Sequence, residues 1–154
     1  MFRCSIILIL TLLATVDVTH AQAPPSGSGA IRFTGNVRVI DGDTLEVYIN
    51  GHQIGIGLIG INAPEGNTDC GMQATGALWS LFTENDITFD EDSEIVFDAR
   101  RRRMYYVLLP DGSSASVKMA GTGLVKPSGQ GREKHEIDTA AATAPKPRCN
   151  RGLR

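Results

Sequence analysis

Residues 35–65 read GNVRVIDGDTLEVYINGHQIGIGLIGINAPE, and this stretch decides the fold. It is made of runs rich in β-forming residues, which are typical of strands. Asp41-Gly42-Asp43 interrupts the runs once, and Asn50-Gly51 interrupts them again. Asn-Gly between two such runs is a strong signal for a hairpin. We therefore predict three strands joined by tight turns, at Gly35–Ile40, Thr44–Ile49 and Gln53–Ile61.

The rest of the chain predicts one amphipathic helix and several shorter elements. The stretch from Gly71 to Asn85 places its large apolar residues at helical spacing. Three strands, this helix and further strands suit a small mixed barrel better than a doubly wound sheet. The prediction is a mainly β fold with flanking helices, of the α+β class. The further strands are predicted at Ile87–Phe89, Glu94–Phe97 and Met104–Leu109, and short helices at Ser116–Gly121 and about Arg132–Ala144.

The N-terminus predicts export. Residues 1–23 combine Arg3, an apolar run and small residues before a cleavage point at Ala21 or Ala23, as in a signal peptide. The alternative is an N-terminal membrane anchor, but a membrane span needs about 20 apolar residues and this run breaks at Asp17. We expect a secreted or periplasmic protein with no membrane association after cleavage.

Downstream of the signal, residues 24–30 predict a flexible leader because they are rich in Pro, Gly and Ser. The remaining residues, 31–154, suffice for one domain with a modest core. Export would place this domain in an oxidising compartment, where Cys70 and Cys149 are expected to form a disulfide. Two unpaired thiols are the alternative.

The formal net charge of the chain is −2 at pH 7. This value excludes the strongly basic balance of a protein that wraps duplex nucleic acid. Any contact with nucleic acid must therefore be local, and the arginine run at 100–103 is its obvious source. The alternative is that this run is solvated surface.

Three polar clusters carry the chemistry that the sequence offers. In the Asp41-Gly42-Asp43 turn, two carboxylates can converge on a hard cation. After the third strand, Asn62 offers an amide oxygen, the Ala63 carbonyl precedes a proline, and Glu65 is a candidate general base. The arginine run can bind a phosphate in bidentate fashion. Taken singly, the clusters are also explained as a solvated turn, a strand exit and a charged face.

The order and spacing of these clusters resemble the staphylococcal-nuclease-like (thermonuclease) family. Its pattern is a strand, Asp-Gly-Asp-Thr, a hairpin, a strand ending in Asp/Asn-x-Pro-Glu, a helix, and then Asp-x-x-Gly-Arg. Residues 39–45, VIDGDTL, and 58–65, LIGINAPE, match this pattern closely. The resemblance covers about residues 35 to 125. It implies an OB-fold five-stranded β-barrel and calcium-dependent hydrolysis of phosphodiester bonds in DNA or RNA.

The resemblance also implies roles for individual residues. Glu65 would orient or deprotonate the attacking water, and Arg102 would bind the phosphate and stabilise charge on its oxygens. The calcium ligands would be Asp43 as the principal carboxylate, Asn62, the Ala63 carbonyl and, close by, Asp41.

The sequence departs from the family pattern at three positions. Asn62 stands in place of the usual aspartate, which removes one negative charge and should loosen calcium binding. Gly57 stands where the family has its first phosphate-binding arginine, and the loss of one such donor typically slows a reaction about 10²- to 10³-fold. Arg101 stands in place of the glycine before Arg102, which affects the turn that aims Arg102.

Residues near the arginine run are candidates to assist. Arg100 is the expected substitute at the phosphate, because Arg101 and Arg103 should point to the opposite face of an extended segment. Tyr105 and Tyr106 are candidates to stack on bases. The alternative is that strand alternation places one tyrosine in the core and the other on the surface.

The leading hypothesis is an exported, monomeric, calcium-dependent nuclease, a hydrolase of the endonuclease type that acts on DNA or RNA. The main alternative is a non-catalytic module that binds nucleic acid or another polyanion on the same barrel. A third hypothesis is an interaction or structural domain without a role in nucleic-acid binding.

Overall fold

The computed structural model describes residues 29–49, 51–82 and 86–149. The expected signal peptide and most of the expected leader lie outside these residues. The strands are β1 Ile31–Phe33, β2 Val37–Asp41, β3 Thr44–Ile49, β4 His52–Leu58, β5 Ile61–Asn62, β6 Ile87–Asp90, β7 Arg103–Leu108 and β8 Lys126–Pro127. The helices are α1 Asp69–Leu81, α2 Ala115–Gly121 and α3 Lys134–Thr143.

Six strands form one mixed sheet in the order β1-β6-β7-β4-β3-β2, and β5 pairs with β8 in a second sheet. Only β4 and β7 are parallel neighbours, and α1 lies in the long connection that such a pair requires. The prediction of a mainly β fold with flanking helices is confirmed. The expected closed barrel of five strands is not found. Within the described residues, β1 extends the sheet at the edge opposite β2, and these two edge strands do not pair with each other.

The predicted hairpin is formed by β3 and β4. Ile49 opposes His52, so positions 50 and 51 alone connect the two strands. Gly51 has a φ of 80°, the left-handed conformation that two-residue hairpin connections favour. The inward side chains of this hairpin build the centre of the core, namely Leu45, Val47, Ile56 and Leu58.

The strand predicted at Gln53–Ile61 is in fact divided in two. Gly60 has a φ of 92°, which turns the chain between the end of β4 and the start of β5. A side chain at this glycine would collide with Ile137 of α3, so the turn packs directly on that helix. The division separates β5 from the large sheet, and β5 pairs with β8 instead.

The strand predicted at Glu94–Phe97 is not present. One carboxylate oxygen of Asp92 accepts hydrogen bonds from the N–H groups of Glu94 and Ile95, at 2.9 and 3.1 Å. These bonds bend the chain and take the place of a strand ladder. Phe97 alone retains a bridge, to Arg103.

Helix α1 begins at a capped terminus. The hydroxyl oxygen of Thr68 accepts a hydrogen bond from the N–H of Gly71 at 3.0 Å, as N-cap residues do. The last residues of the predicted helix, 83–85, lie outside the described residues. Cys70 in the first turn forms a disulfide with Cys149, and their Cα atoms are 5.1 Å apart. The disulfide ties the segment after α3 to the start of α1.

Helices α2 and α3 lie close to their predicted positions and pack against each other. Ile137 anchors α3 in the core. In the described part of the chain, no helix combines the length and the apolar character needed to cross a membrane.

Candidate active site

The Asp-Gly-Asp turn joins β2 to β3 and is wedged between two neighbours. A Cβ added to Gly42 would lie 2.5 Å from the Cβ of Ala74 in α1 and 3.0 Å from the Cβ of Ala63. Only glycine therefore fits there without displacement. Asp41 closes the turn, because one of its carboxylate oxygens accepts a hydrogen bond from the N–H of Asp43 at 3.0 Å.

The Asp43 carboxylate is mostly buried, with 15% of its side chain exposed. One oxygen accepts a hydrogen bond from the N–H of Ala63 at 2.6 Å, and the other accepts one from the hydroxyl of Thr44 at 2.9 Å. Burial raises the pKa of Asp43 above its ordinary value, and the nearby Asp41 acts in the same direction, against the bond from Ala63. The electrostatics of this group therefore favour a neighbouring cation.

Arg102 supplies a cation next to Asp43. One terminal nitrogen of its guanidinium lies 3.5 Å from an Asp43 oxygen and donates a hydrogen bond to the Thr44 hydroxyl. Its Nε donates to Asp98 at 2.7 Å. Burial alone would lower the pKa of Arg102, but the hydrogen bond to Asp98 and the charge of Asp43 more than offset it and raise the pKa. Arg102 is therefore held from two sides.

The turn before Arg102 is formed without the glycine that the family pattern has there. Arg101 has a φ of 62° and is the only non-glycine residue with positive φ among residues 29–49, 51–82 and 86–149. Asp98 stabilises the turn by accepting hydrogen bonds from the N–H groups of Arg100 and Arg102, at 2.9 and 2.8 Å. Arg101 thus adopts the conformation that glycine would provide, and Arg102 reaches the site.

Glu65 lies at the exposed rim of the site. One of its carboxylate oxygens is 3.9 Å from a terminal nitrogen of Arg100, and both side chains are more than half exposed. The Glu65 carbonyl accepts hydrogen bonds from the N–H and the hydroxyl of Thr68, at 2.9 and 2.8 Å. A Cβ on the next residue, Gly66, would lie 3.8 Å from the Cβ of Asp41. The loop is therefore anchored between the α1 cap and the Asp-Gly-Asp turn.

The other arginines of the run do not follow the alternation expected of an extended segment, because the chain turns at Arg101. Arg103 is turned inward, where it pairs with Glu91 and lies 5.5 Å from the ring centroids of Phe97 and Tyr105. Arg101 is exposed. Arg100 is the one neighbour of Arg102 that contacts another candidate site residue.

Position 57 lies next to Met104 and close to Arg102. A Cβ added to Gly57 would collide with the sulfur of Met104 and would lie 3.7 Å from Cζ of Arg102. An arginine at 57 would therefore stand beside Arg102. In this chain the Met104 thioether fills that space, which the sequence did not reveal because residues 57 and 104 meet only through the parallel pairing of β4 and β7.

Asn62 ends β5 as an exposed residue, opposite Lys126 of β8. The expected ligands offer only oxygen atoms, which suit a hard divalent cation, and of these ligands the structure places Asp41 and Ala63 in contact with Asp43 through the Asp43 and Ala63 N–H groups. The described residues contain no group of three or more His, Cys, Asp or Glu side chains arranged to hold a metal. Calcium binding by Asp43, Asp41, Asn62 and the Ala63 carbonyl therefore stays a prediction.

The prediction that tyrosines stack on bases is wrong. Tyr105 is 2% exposed and Tyr106 is 0% exposed, so neither ring can receive a base. The alternative, one tyrosine in the core and the other on the surface, is also wrong, because both are buried. Tyr106 instead donates a hydrogen bond to Asp92 at 2.6 Å and accepts one from the N–H of Arg132 at 2.6 Å. Both rings are structural.

Comparison with known proteins gives limited similarity. No family model matches the chain. Over 87 residues it is 33% identical to a curated protein of Escherichia coli O157:H7 and to one of Escherichia coli, each named "Uncharacterized endonuclease". The match covers 56% of this chain and 55% of each relative. The chain thus spans about half the length of the curated relatives it matches.

Proposed function

We propose that this protein is a nuclease that hydrolyses phosphodiester bonds of DNA or RNA with the help of a calcium ion. The observation that carries the proposal is the contact of Arg102 with both Asp43 and Thr44, beside the pair Glu65–Arg100. The two similar proteins named endonuclease support a nucleic-acid substrate.

Each side chain has a defined task in this proposal. Asp43, Asp41, Asn62 and the Ala63 carbonyl would hold the calcium ion, which supplies Lewis-acid polarisation of a phosphoryl oxygen when bound. Arg102 donates hydrogen bonds to the phosphate and stabilises the charge that grows on its oxygens.

Glu65 takes a proton from the attacking water as the water oxygen bonds to phosphorus and the P–O bond on the opposite side breaks. The leaving oxygen takes a proton from solvent, and Glu65, which is exposed, releases its proton to solvent. Arg100 contacts Glu65 in the free protein and is the second donor to the phosphate. Asp98 and Thr44 hold the guanidinium of Arg102 before the substrate arrives. Substrate binding therefore does not bear the entropy cost of fixing that side chain.

A second candidate function is binding of nucleic acid without cleavage. The observation that favours it is the Met104 thioether in the place where an arginine at 57 would stand. With Arg102 as the only guanidinium held next to Asp43 among the described residues, the transition state loses one preorganised donor. Such a loss typically slows a reaction about 10²- to 10³-fold.

Family membership and cellular location belong to the same proposal. The three-stranded meander β2–β3–β4 followed by α1 supports a thermonuclease-like protein with an OB-type core. The disulfide between Cys70 and Cys149 supports an exported protein, secreted or periplasmic, since disulfides persist in oxidising compartments.

The test is cleavage of an end-labelled single-stranded oligonucleotide by the protein, with calcium and with chelator. We expect slow, calcium-dependent cleavage that Glu65→Gln and Arg102→Gln each reduce by about 10²-fold or more. Matched controls are Glu94→Gln and Arg101→Gln, which remove the same charges at exposed positions.

The controls should cleave at the wild-type rate. Binding of the oligonucleotide in chelator without any cleavage in calcium would favour the second candidate function. Cleavage that survives in Glu65→Gln would contradict the role of Glu65.

A further inference from the structure

Lys126 lies next to the candidate site through a pairing that is not evident from the sequence. Its Cα opposes that of Asn62 in the β5–β8 pair. Residues that oppose each other directly in an antiparallel pair project to the same face, with Cβ atoms about 5 Å apart. Both residues are exposed, whereas Ile61 of the same strand is buried. Lys126 therefore lies on the same outer face of the β5–β8 pair as Asn62. Asn62 in turn immediately precedes Ala63, whose N–H donates a hydrogen bond to Asp43.

No acidic side chain of the described residues neutralises the charge of Lys126. Within the described ranges, no hydrogen bond or ion pair involves its ammonium group, whereas Lys118 pairs with Asp111 and Lys134 with Asp138. An aspartate at position 62 would face Lys126 directly and form a cross-strand ion pair with it. The asparagine present there cannot neutralise it.

The other cations at the site are already engaged. Arg102 is held by Asp98 and lies near Asp43, and Arg100 lies near Glu65. A phosphate that approaches these carboxylates is repelled by them, and Gly57 contributes no charge to offset this repulsion. A compact ammonium on a flexible stem is well suited to contact a phosphate as a point charge.

We propose that Lys126 binds a backbone phosphate of the nucleic-acid strand, adjacent to the phosphate held by Arg102. This inference rests on the proposed function and extends its binding surface to β8. The substitution of asparagine at 62 then has a second consequence, because it leaves Lys126 available to the substrate. Lys126 thereby supplies part of the positive charge that an arginine at position 57 would have provided.

The test is binding of a fluorescent single-stranded oligonucleotide in chelator, where no cleavage occurs, at several salt concentrations. Removal of one phosphate contact lowers the slope of log K against log salt by about 0.7 for a single strand. We expect Lys126→Gln to lower the slope by about this amount and Lys126→Arg to restore it. Lys118→Gln is the matched control and should leave the slope unchanged.

A second measurement locates the contact. Replacing backbone phosphates one at a time by neutral methylphosphonate should weaken binding of the wild-type protein at one position where Lys126→Gln shows no further loss. In calcium, Lys126→Gln should raise KM and leave kcat nearly unchanged. A structural role would not produce this position-specific coupling.

The outcomes separate the two proposals. If wild-type protein binds but Lys126→Gln retains its affinity and salt slope, the role of Lys126 is overturned and the proposed function stands. If wild-type protein does not bind oligonucleotides at low salt, the proposed function fails, and the role of Lys126 fails with it.

Discussion

At the scale of single residues, the site is defined by what lies around Arg102. Thr44 is 58 residues away in the chain, yet its hydroxyl accepts a hydrogen bond from the guanidinium. Asp98 binds the same side chain and also closes the turn that precedes it. Arg102, the arginine proposed to bind phosphate, is thus oriented by one residue from β3 and one from its own turn.

Gly57→Arg, combined with Met104→Ala to make room, should speed cleavage about 10-fold or more, because it adds a preorganised donor beside Arg102. The measurement is kcat on the labelled oligonucleotide. Gly55→Arg is the matched control: it lies two residues earlier on β4, with nothing within 4 Å of an added Cβ, and should give no gain. Equal rates in the two variants would contradict a phosphate role for position 57.

Asp98→Asn should destabilise the protein at neutral pH by about 1.5–3 kcal/mol, because it removes charged hydrogen bonds to Arg102. Burial alone would raise the pKa of Asp98, but the bonds from Arg102 outweigh it and lower the pKa below its ordinary value of 3.8. A lowered pKa means that the stabilisation is fully present above pH 3.8 and is lost as the pH falls through the folded-state pKa.

Urea unfolding at pH 7 and at pH 3 measures this effect. The difference in free energy of unfolding between wild type and Asp98→Asn should shrink at the lower pH. Asp138→Asn, which removes an exposed partner of Lys134, should stay within about 0.5 kcal/mol of wild type at both pH values. A difference that is equal at both pH values would contradict the charge argument.

At the scale of elements, local pattern predicted most strands and helices, and tertiary contacts account for the misses. The hairpin β3–β4 follows from the residue pattern around its two-residue turn. The break at Gly60 does not, since it depends on a close contact with Ile137, which is far away in the sequence. The missing strand at Glu94–Phe97 also depends on a distant contact. Asp92 bends the chain there by accepting bonds from the next N–H groups, and its carboxylate is held in place by the hydroxyl of Tyr106.

The residues of the candidate site also fall into those that the sequence pattern predicts and those that depend on tertiary contacts. Motif order alone predicted Asp43, Glu65 and Arg102, and the structure brings Arg102 to Asp43. Met104 and Lys126 were missed because strand pairing, not sequence distance, sets their neighbours.

Gly71→Ala should disrupt the contact between α1 and the loop of Glu65. An added Cβ would lie 2.6 Å from the Glu65 carbonyl carbon and closer still to its oxygen, both of them backbone atoms. We expect a loss of about 1–3 kcal/mol in the free energy of unfolding. Cleavage should also fall, because the loop that carries Glu65 must move.

Gly76→Ala is the matched control in the same helix. Nothing lies within 4 Å of a Cβ added at Gly76, and alanine is the better helix former by about 1 kcal/mol. This variant should gain stability and keep its activity. Thermal unfolding and the cleavage assay measure both variants, and equal stability in the two would contradict the close approach at Gly71.

At the scale of the whole molecule, many of the described surface arginines are engaged in ion pairs. Arg38 is paired with Glu46, Arg32 with Asp86, and Arg132 with Asp90. In a chain with a net charge of −2, these pairs leave little general attraction for polyanions. The binding that we propose therefore depends on a few cations around Asp43.

The disulfide is a covalent link that acts on the described part of the molecule as a whole. Cys70 and Cys149 are 79 residues apart, so the bond encloses nearly all of α1 together with β6, β7, α2, β8 and α3. A cross-link across so long a segment restricts the unfolded chain and typically stabilises a protein by about 2–4 kcal/mol. Replacing both cysteines by serine should lower the urea midpoint accordingly. A reductant should lower the wild-type midpoint to that of the double variant and leave the double variant unchanged. A wild-type midpoint that does not respond to reductant under unfolding conditions would show that the bond contributes no stability.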